Sequence, residues 1–169
     1  MRREIFKKSE QILSLFLRWG SITCLITLLF FIAAGVFVRF VPISSMGWAD
    51  EIIEFAFAWM VFLGATALWR ARGHFRVEVL SERLAGSKAG RVLEIVLSFI
   101  ALIFLLIFTY EGGILAIRAT DRSPILEITR TFFYMVMPIS GAIMIGYTVR
   151  DLLSLFLQGR SSPKSLKRI

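Results

Sequence analysis

A single cysteine, Cys24, lies inside an apolar run, so the chain can close no internal disulfide and assemble no cysteine metal cluster. A single histidine, His74, leaves a bis-histidine haem or a histidine zinc site without its second ligand. No phosphate-binding glycine loop, nucleophile elbow or metal-ligand spacing occurs, so enzymatic chemistry has no footing. Charge is also scarce, at 19% of the residues, against about a quarter in soluble domains. What fills the space is apolar: 57% of the 169 residues are hydrophobic and the mean hydropathy is +0.74. This excess is gathered into long runs, which marks membrane spans rather than a soluble core.

Trp19–Val38 are 20 uncharged residues between Arg18 and Arg39. At ~1.5 Å per residue they cross a hydrocarbon core of ~30 Å. A second span is expected over 50–69, opened by Asp50, Glu51 and Glu54 and closed by Arg70 and Arg72. That order of charge suits the helix macrodipole. A third is expected over 93–117, around the uncharged core Ile95–Tyr110, and a fourth over 130–150. Pro138 lies inside the fourth, where it removes one backbone hydrogen bond and should kink the helix. The sequence thus predicts an all-α integral membrane protein, a single four-helix domain over 1–157. Residues 1–18 place Ile5, Phe6, Ile12, Leu13 and Phe16 on one stripe, which predicts an amphipathic helix lying at the interface. Val77, Leu80 and Leu84 predict a short cytoplasmic surface helix. Residues 158–169 read as a basic cytoplasmic tail.

Four spans put both termini on one side. The N-terminal segment holds five Lys and Arg, the 70–91 loop six and the segment from Arg150 five. Against these sixteen stand four on the other side: Arg39, Arg118, Arg122 and Arg130. The positive-inside bias makes the termini and middle loop cytoplasmic. It also accounts for the net charge of +8 without nucleic acid, since an apolar bundle offers no continuous basic face.

Ionisable groups at membrane depth are candidates for function. Arg39 closes span one and Glu51 and Glu54 open span two, so an ion pair tying the two helices on the outer side is expected. A solute or ion site is the alternative. Glu111 sits further into span three and could pair with Arg39, with Arg130 or with another subunit. His74 follows Arg72-Gly73 at the inner end of span two and reads as a helix cap or docking residue. Gly112 with Ala116, and Ala142 with Gly146, have the spacing that lets helices approach closely in lipid. Trp19, Trp48 and Trp69 lie at span ends, as an aromatic belt requires, whereas Trp59 lies mid-span and suits packing or subunit contact.

Several short motifs resemble those of one family. They are Arg39-Phe40, Trp48-Ala49-Asp50-Glu51, Trp59 with Phe62-Leu63-Gly64-Ala65, Gly73-His74-Phe75-Arg76-Val77-Glu78, and Tyr134 with Met137-Pro138. Together they look like the Q-type (DctQ-like) small membrane subunit of tripartite ATP-independent periplasmic (TRAP) transporters. Glu78 stands where that family usually has an aspartate, which keeps the charge. The resemblance implies a non-catalytic bacterial inner-membrane subunit for sodium-coupled uptake of an organic acid, such as a C4-dicarboxylate or sialic acid. It implies a large membrane partner that carries the substrate and sodium sites and moves as an elevator. It also implies a periplasmic substrate-binding protein, contact with membrane lipids, and no cofactor on this chain. Arg39, Glu51, Trp59, Gly64, His74 and Pro138 are the family-matching positions, carried over for packing and subunit contact. Asp50, Arg118 and Arg122 are candidates for docking on the periplasmic side. Two readings from other classes stay open: a self-sufficient homo-oligomeric channel or proton-coupled exporter using Glu111, and a quinone- or haem-binding anchor of a redox complex.

Overall fold

Arg18 does not interrupt a helix, because a charged side chain leaves the backbone ladder intact. The computed structural model describes residues 2–41, 46–71 and 88–158. In it the N-terminal amphipathic stretch and the first apolar run form one helix, α1, Arg2–Phe40. At 39 residues α1 is about 58 Å long, roughly twice the hydrocarbon thickness. The stretch is helical as its stripe predicts, but no break separates it from the span. Helix α2 is Gly47–Arg70 and α3 is Lys88–Arg118. The fourth run is broken into a single turn, α4 (Thr131–Tyr134), and α5 (Val136–Gln158). The break at Met135 falls three residues before Pro138, whose ring crowds the preceding turn and whose nitrogen donates nothing. Four helices are long and apolar enough to cross a membrane, their candidate spans being Glu10–Phe40, Gly47–Arg70, Val92–Arg118 and Thr131–Leu155. His74, the expected surface helix around Val77–Leu84 and the tail from 159 lie outside the described residues.

The spans stand in an open row. Helix α1 lies beside α2, α2 beside α5, and α5 beside α3. Long side chains reach past the nearest neighbour, as where the Phe62 and Phe108 rings meet at 5.8 Å. Small residues set the spacing within each pair. A Cβ built at Gly20 would meet Leu63 at 3.0 Å, and one at Gly64 would meet the Ser21 hydroxyl at 3.3 Å. Leu17, one turn below Gly20, is fully buried at this seam. Gly64 is therefore a close-approach residue between α1 and α2, inside the chain. On the other side of the row Gly112 packs on Met137 and Pro138 of α5. The two small-residue pairs behave differently: Gly112 and Ala116 are buried, whereas Ala142 and Gly146 are exposed.

The tightest crossing is at Gly141, where a Cβ would collide with the Thr109 hydroxyl oxygen. Thr109 cannot swing away cheaply, because its hydroxyl donates to the Leu105 carbonyl at 2.7 Å. Overpacking of this kind costs about 1–3 kcal/mol. Gly141→Ala should accordingly lower the melting temperature in detergent. Adding Thr109→Ala, which removes the colliding oxygen, should recover part of the loss. A double variant no better than Gly141→Ala alone would show that the contact is not what requires glycine.

Candidate functional site

One end of the row, where α2 begins, is organised by one carboxylate. Helix α2 begins at Gly47 with no side-chain cap, and its first turn is held by the Ala49 amide donating to the Met46 carbonyl at 2.9 Å. Glu51 follows on the second turn and is buried, at 8% exposure. A buried carboxylate without donors is costly, and this one has three. The Ser123 hydroxyl donates to Oε2 at 2.7 Å, the Ile125 amide to Oε1 at 2.8 Å and the Leu126 amide to Oε2 at 2.9 Å.

All three donors come from the connection between α3 and α4, residues 119–130. This connection is a tight hairpin. The Ser123 amide donates to the Ile128 carbonyl at 2.8 Å and the Arg130 amide to the Asp121 carbonyl at 2.9 Å. Arg122 and Thr129 form an isolated antiparallel bridge between them. The chain reverses through Pro124–Glu127, with Glu127 at φ 52°, a left-handed conformation uncommon for a residue with a Cβ. Ser123 works both ways, since its oxygen also accepts the Ile128 amide at 3.2 Å. Gly47 lets the hairpin close on α2: a Cβ there would meet Ile125 at 2.9 Å. The Thr131 hydroxyl donates to the Ala119 carbonyl at 2.9 Å and shuts the hairpin's base.

Glu54, one turn further on, pairs with Arg130 at 3.7 Å. The Tyr134 hydroxyl, and after it the Glu54 carboxylate, hold the Arg130 guanidinium above its ordinary value. The expected ion pair between Arg39 and Glu51 or Glu54 is therefore not what this end is built on. Both carboxylates turn to the α3–α4 connection, and Arg39 is exposed with no ion pair among the described residues. Glu111 pairs with neither Arg39 nor Arg130. It too is exposed.

Trp59 acts within the chain. Its indole N–H donates to the Phe132 carbonyl at 3.1 Å, at the α4–α5 break. Phe55 bridges it to Phe133, with ring centroids 5.6 Å and 5.3 Å apart. Pro138, Trp59 and Glu51 thus serve one arrangement: the break, the tie across it and the clamp beyond it. Asp50, Arg118 and Arg122 are exposed around the hairpin, with Arg122 facing Glu127 at 3.9 Å. The opposite end of the row is tied separately. Glu10 of α1 pairs with Arg150 of α5, and the Trp69 indole donates to the Thr148 hydroxyl at 3.0 Å.

Sequence reasoning missed Ser123 and the hairpin amides. The available signal was Asp121-Arg122-Ser123-Pro124, a turn signature opposite a carboxylate that needs donors.

Four membrane-length helices in a row, tied at one end by a buried carboxylate, define a multi-pass α-helical membrane protein. Residues 15–158 match the family model described as "Tripartite ATP-independent periplasmic transporters, DctQ component", and the chain belongs to that family of small TRAP membrane subunits. A comparison with curated proteins gives no match.

Hydrogen bonds to a charged group contribute about 1.5–3 kcal/mol each. Glu51→Ala should free the hairpin, so that the Ile125 and Leu126 amides exchange with deuterium roughly ten- to a hundredfold faster. Ser123→Ala should give a smaller acceleration, because the two backbone donors remain. Unchanged exchange at both amides in Glu51→Ala would mean that the hairpin stands without the clamp. Trp59→Phe keeps the ring packing but loses the tie, and should lower stability in a detergent melt by about 1 kcal/mol.

Proposed function

We propose that this chain is the bracing subunit of a sodium-coupled TRAP transporter for an organic acid. It lies in a bacterial inner membrane with both termini cytoplasmic. The large membrane partner carries the substrate and sodium sites and moves, while this chain stays fixed against its static part. The observation that carries the reading is the open row itself. An elevator needs a broad fixed frame, and a row of helices gives breadth where a closed bundle would give bulk. Both edges of the row present large apolar side chains, including Phe30 and Phe37 on α1 and Phe99, Phe104 and Ile107 on α3. Such surface suits lipid and a membrane partner.

The outer rim supports the second part of the proposal, docking of the periplasmic substrate-binding protein. Asp50, Arg118 and Arg122 are exposed beside a hairpin whose shape is fixed by Glu51. A fixed rim costs less ordering on association than a loose loop.

Co-purification and reconstitution test this together. A tagged copy in mild detergent should retain a multi-span membrane protein at one-to-one stoichiometry. Liposomes holding both proteins should take up the acid when sodium and the binding protein are supplied outside, and liposomes holding either membrane protein alone should not. Sodium-driven uptake by this chain alone would overturn the bracing role and return attention to a self-sufficient carrier.

A further inference from the structure

Glu54 and Glu111 each lie seven residues inside the outer end of their helices, counting from Gly47 and from Arg118. Glu54 has a cation, Arg130, at 3.7 Å. Glu111 is exposed and has no ion pair among the described residues. Seven residues are about 10 Å of helix. A 27-residue span is about 40 Å long, so centring it on ~30 Å of hydrocarbon puts the Glu111 backbone about 5 Å inside the boundary. A lone carboxylate facing acyl chains at that depth is expensive. Its own helix offers no relief. The residues three and four away are Ile107, Phe108, Ile114 and Leu115, and Arg118 is two turns off.

The surface around it is otherwise apolar. Phe104, Ile107, Tyr110 and Leu115 are exposed. The opposite face of α3, with Leu105 and Ala116, is buried against the row. The other edge differs in kind. The exposed residues of α1 between Trp19 and Val38, among them Ile26, Phe30 and Phe37, carry no charge.

We propose that the Glu111 face of α3 is the docking surface for a membrane-embedded partner that presents an arginine or lysine side chain at the same depth, and that the α1 edge faces lipid. This rests on the bracing-subunit reading, the partner being the large membrane subunit. The partner's cation does for Glu111 what Arg130 does for Glu54. Pairing at that depth fixes both register and depth of the contact, because like charge or no charge opposite Glu111 is penalised.

The test uses the full chain co-expressed with its large partner in native membranes. A photoreactive phenylalanine analogue replaces Ile107 or Leu115, which flank Glu111 and leave its charge in place, or Ile26 or Phe30 on α1. Adducts to the large partner are expected from the α3 positions and not from the α1 positions. Glu111→Lys should lower recovery of the partner tenfold or more, and Glu111→Gln by less. Neither should shift the melting of this chain alone in detergent, since Glu111 is exposed and has no ion pair among the described residues. Adducts from α1 in place of α3, adducts from α3 to a second copy of this chain, or full recovery with Glu111→Lys would each overturn the docking surface while leaving the bracing role intact. Absence of any partner adduct or co-purified partner from the unsubstituted chain would overturn both.

Discussion

A carboxylate withdrawn from water needs donors, and Glu51 obtains them from a segment more than seventy residues away in the chain. That requirement joins the two halves of the protein at one end of the row. The hairpin has hydrogen bonds of its own, but its Ile125 and Leu126 amides point at an acceptor that only α2 supplies. Nor can α2 bury Glu51 without the hairpin. Arg130 with Glu54 and Gly47 beneath Ile125 are consistent with the same closure, one by charge and one by space. The break before Pro138 then follows, since the chain must leave the hairpin and still enter the row. Trp59 covers the carbonyl exposed by that turn.

The resulting molecule is wide for its number of helices. The α1–α2 and α3–α5 pairs are each held by close contact at glycines, and the outward faces of the row are left to the surroundings. This suits a component whose task is to hold a position in the bilayer. A carrier that changed shape would not need a buried clamp at one end and a charge pair with an indole tie at the other.

The four spans were legible because uncharged runs of 15 to 20 residues, flanked by charge, have few other uses. The interruption of the fourth run at Met135 was legible because Pro138 removes a donor wherever it sits. The importance of Glu51 was legible too, from an acid at the start of an apolar helix, but its partner was not. Proximity in sequence favoured Arg39, and Coulomb attraction seemed to require a cation. The actual ligands are a hydroxyl and two backbone amides, and a sequence does not display where its amides point. The unity of α1 was hidden for a simpler reason. Arg18 marks a change of surroundings along a helix, and it was read as the end of one.

The order of the row has a consequence for biogenesis. Helix α1 lies against its sequence neighbour α2, and α3 against α5, so each half is a pair of consecutive spans that can leave the translocation machinery as a unit. The first pair is complete long before Ser123 has been synthesised. The hairpin is thus the last piece needed to close the Glu51 end, and its arrival joins two sequence-local helix pairs into one molecule.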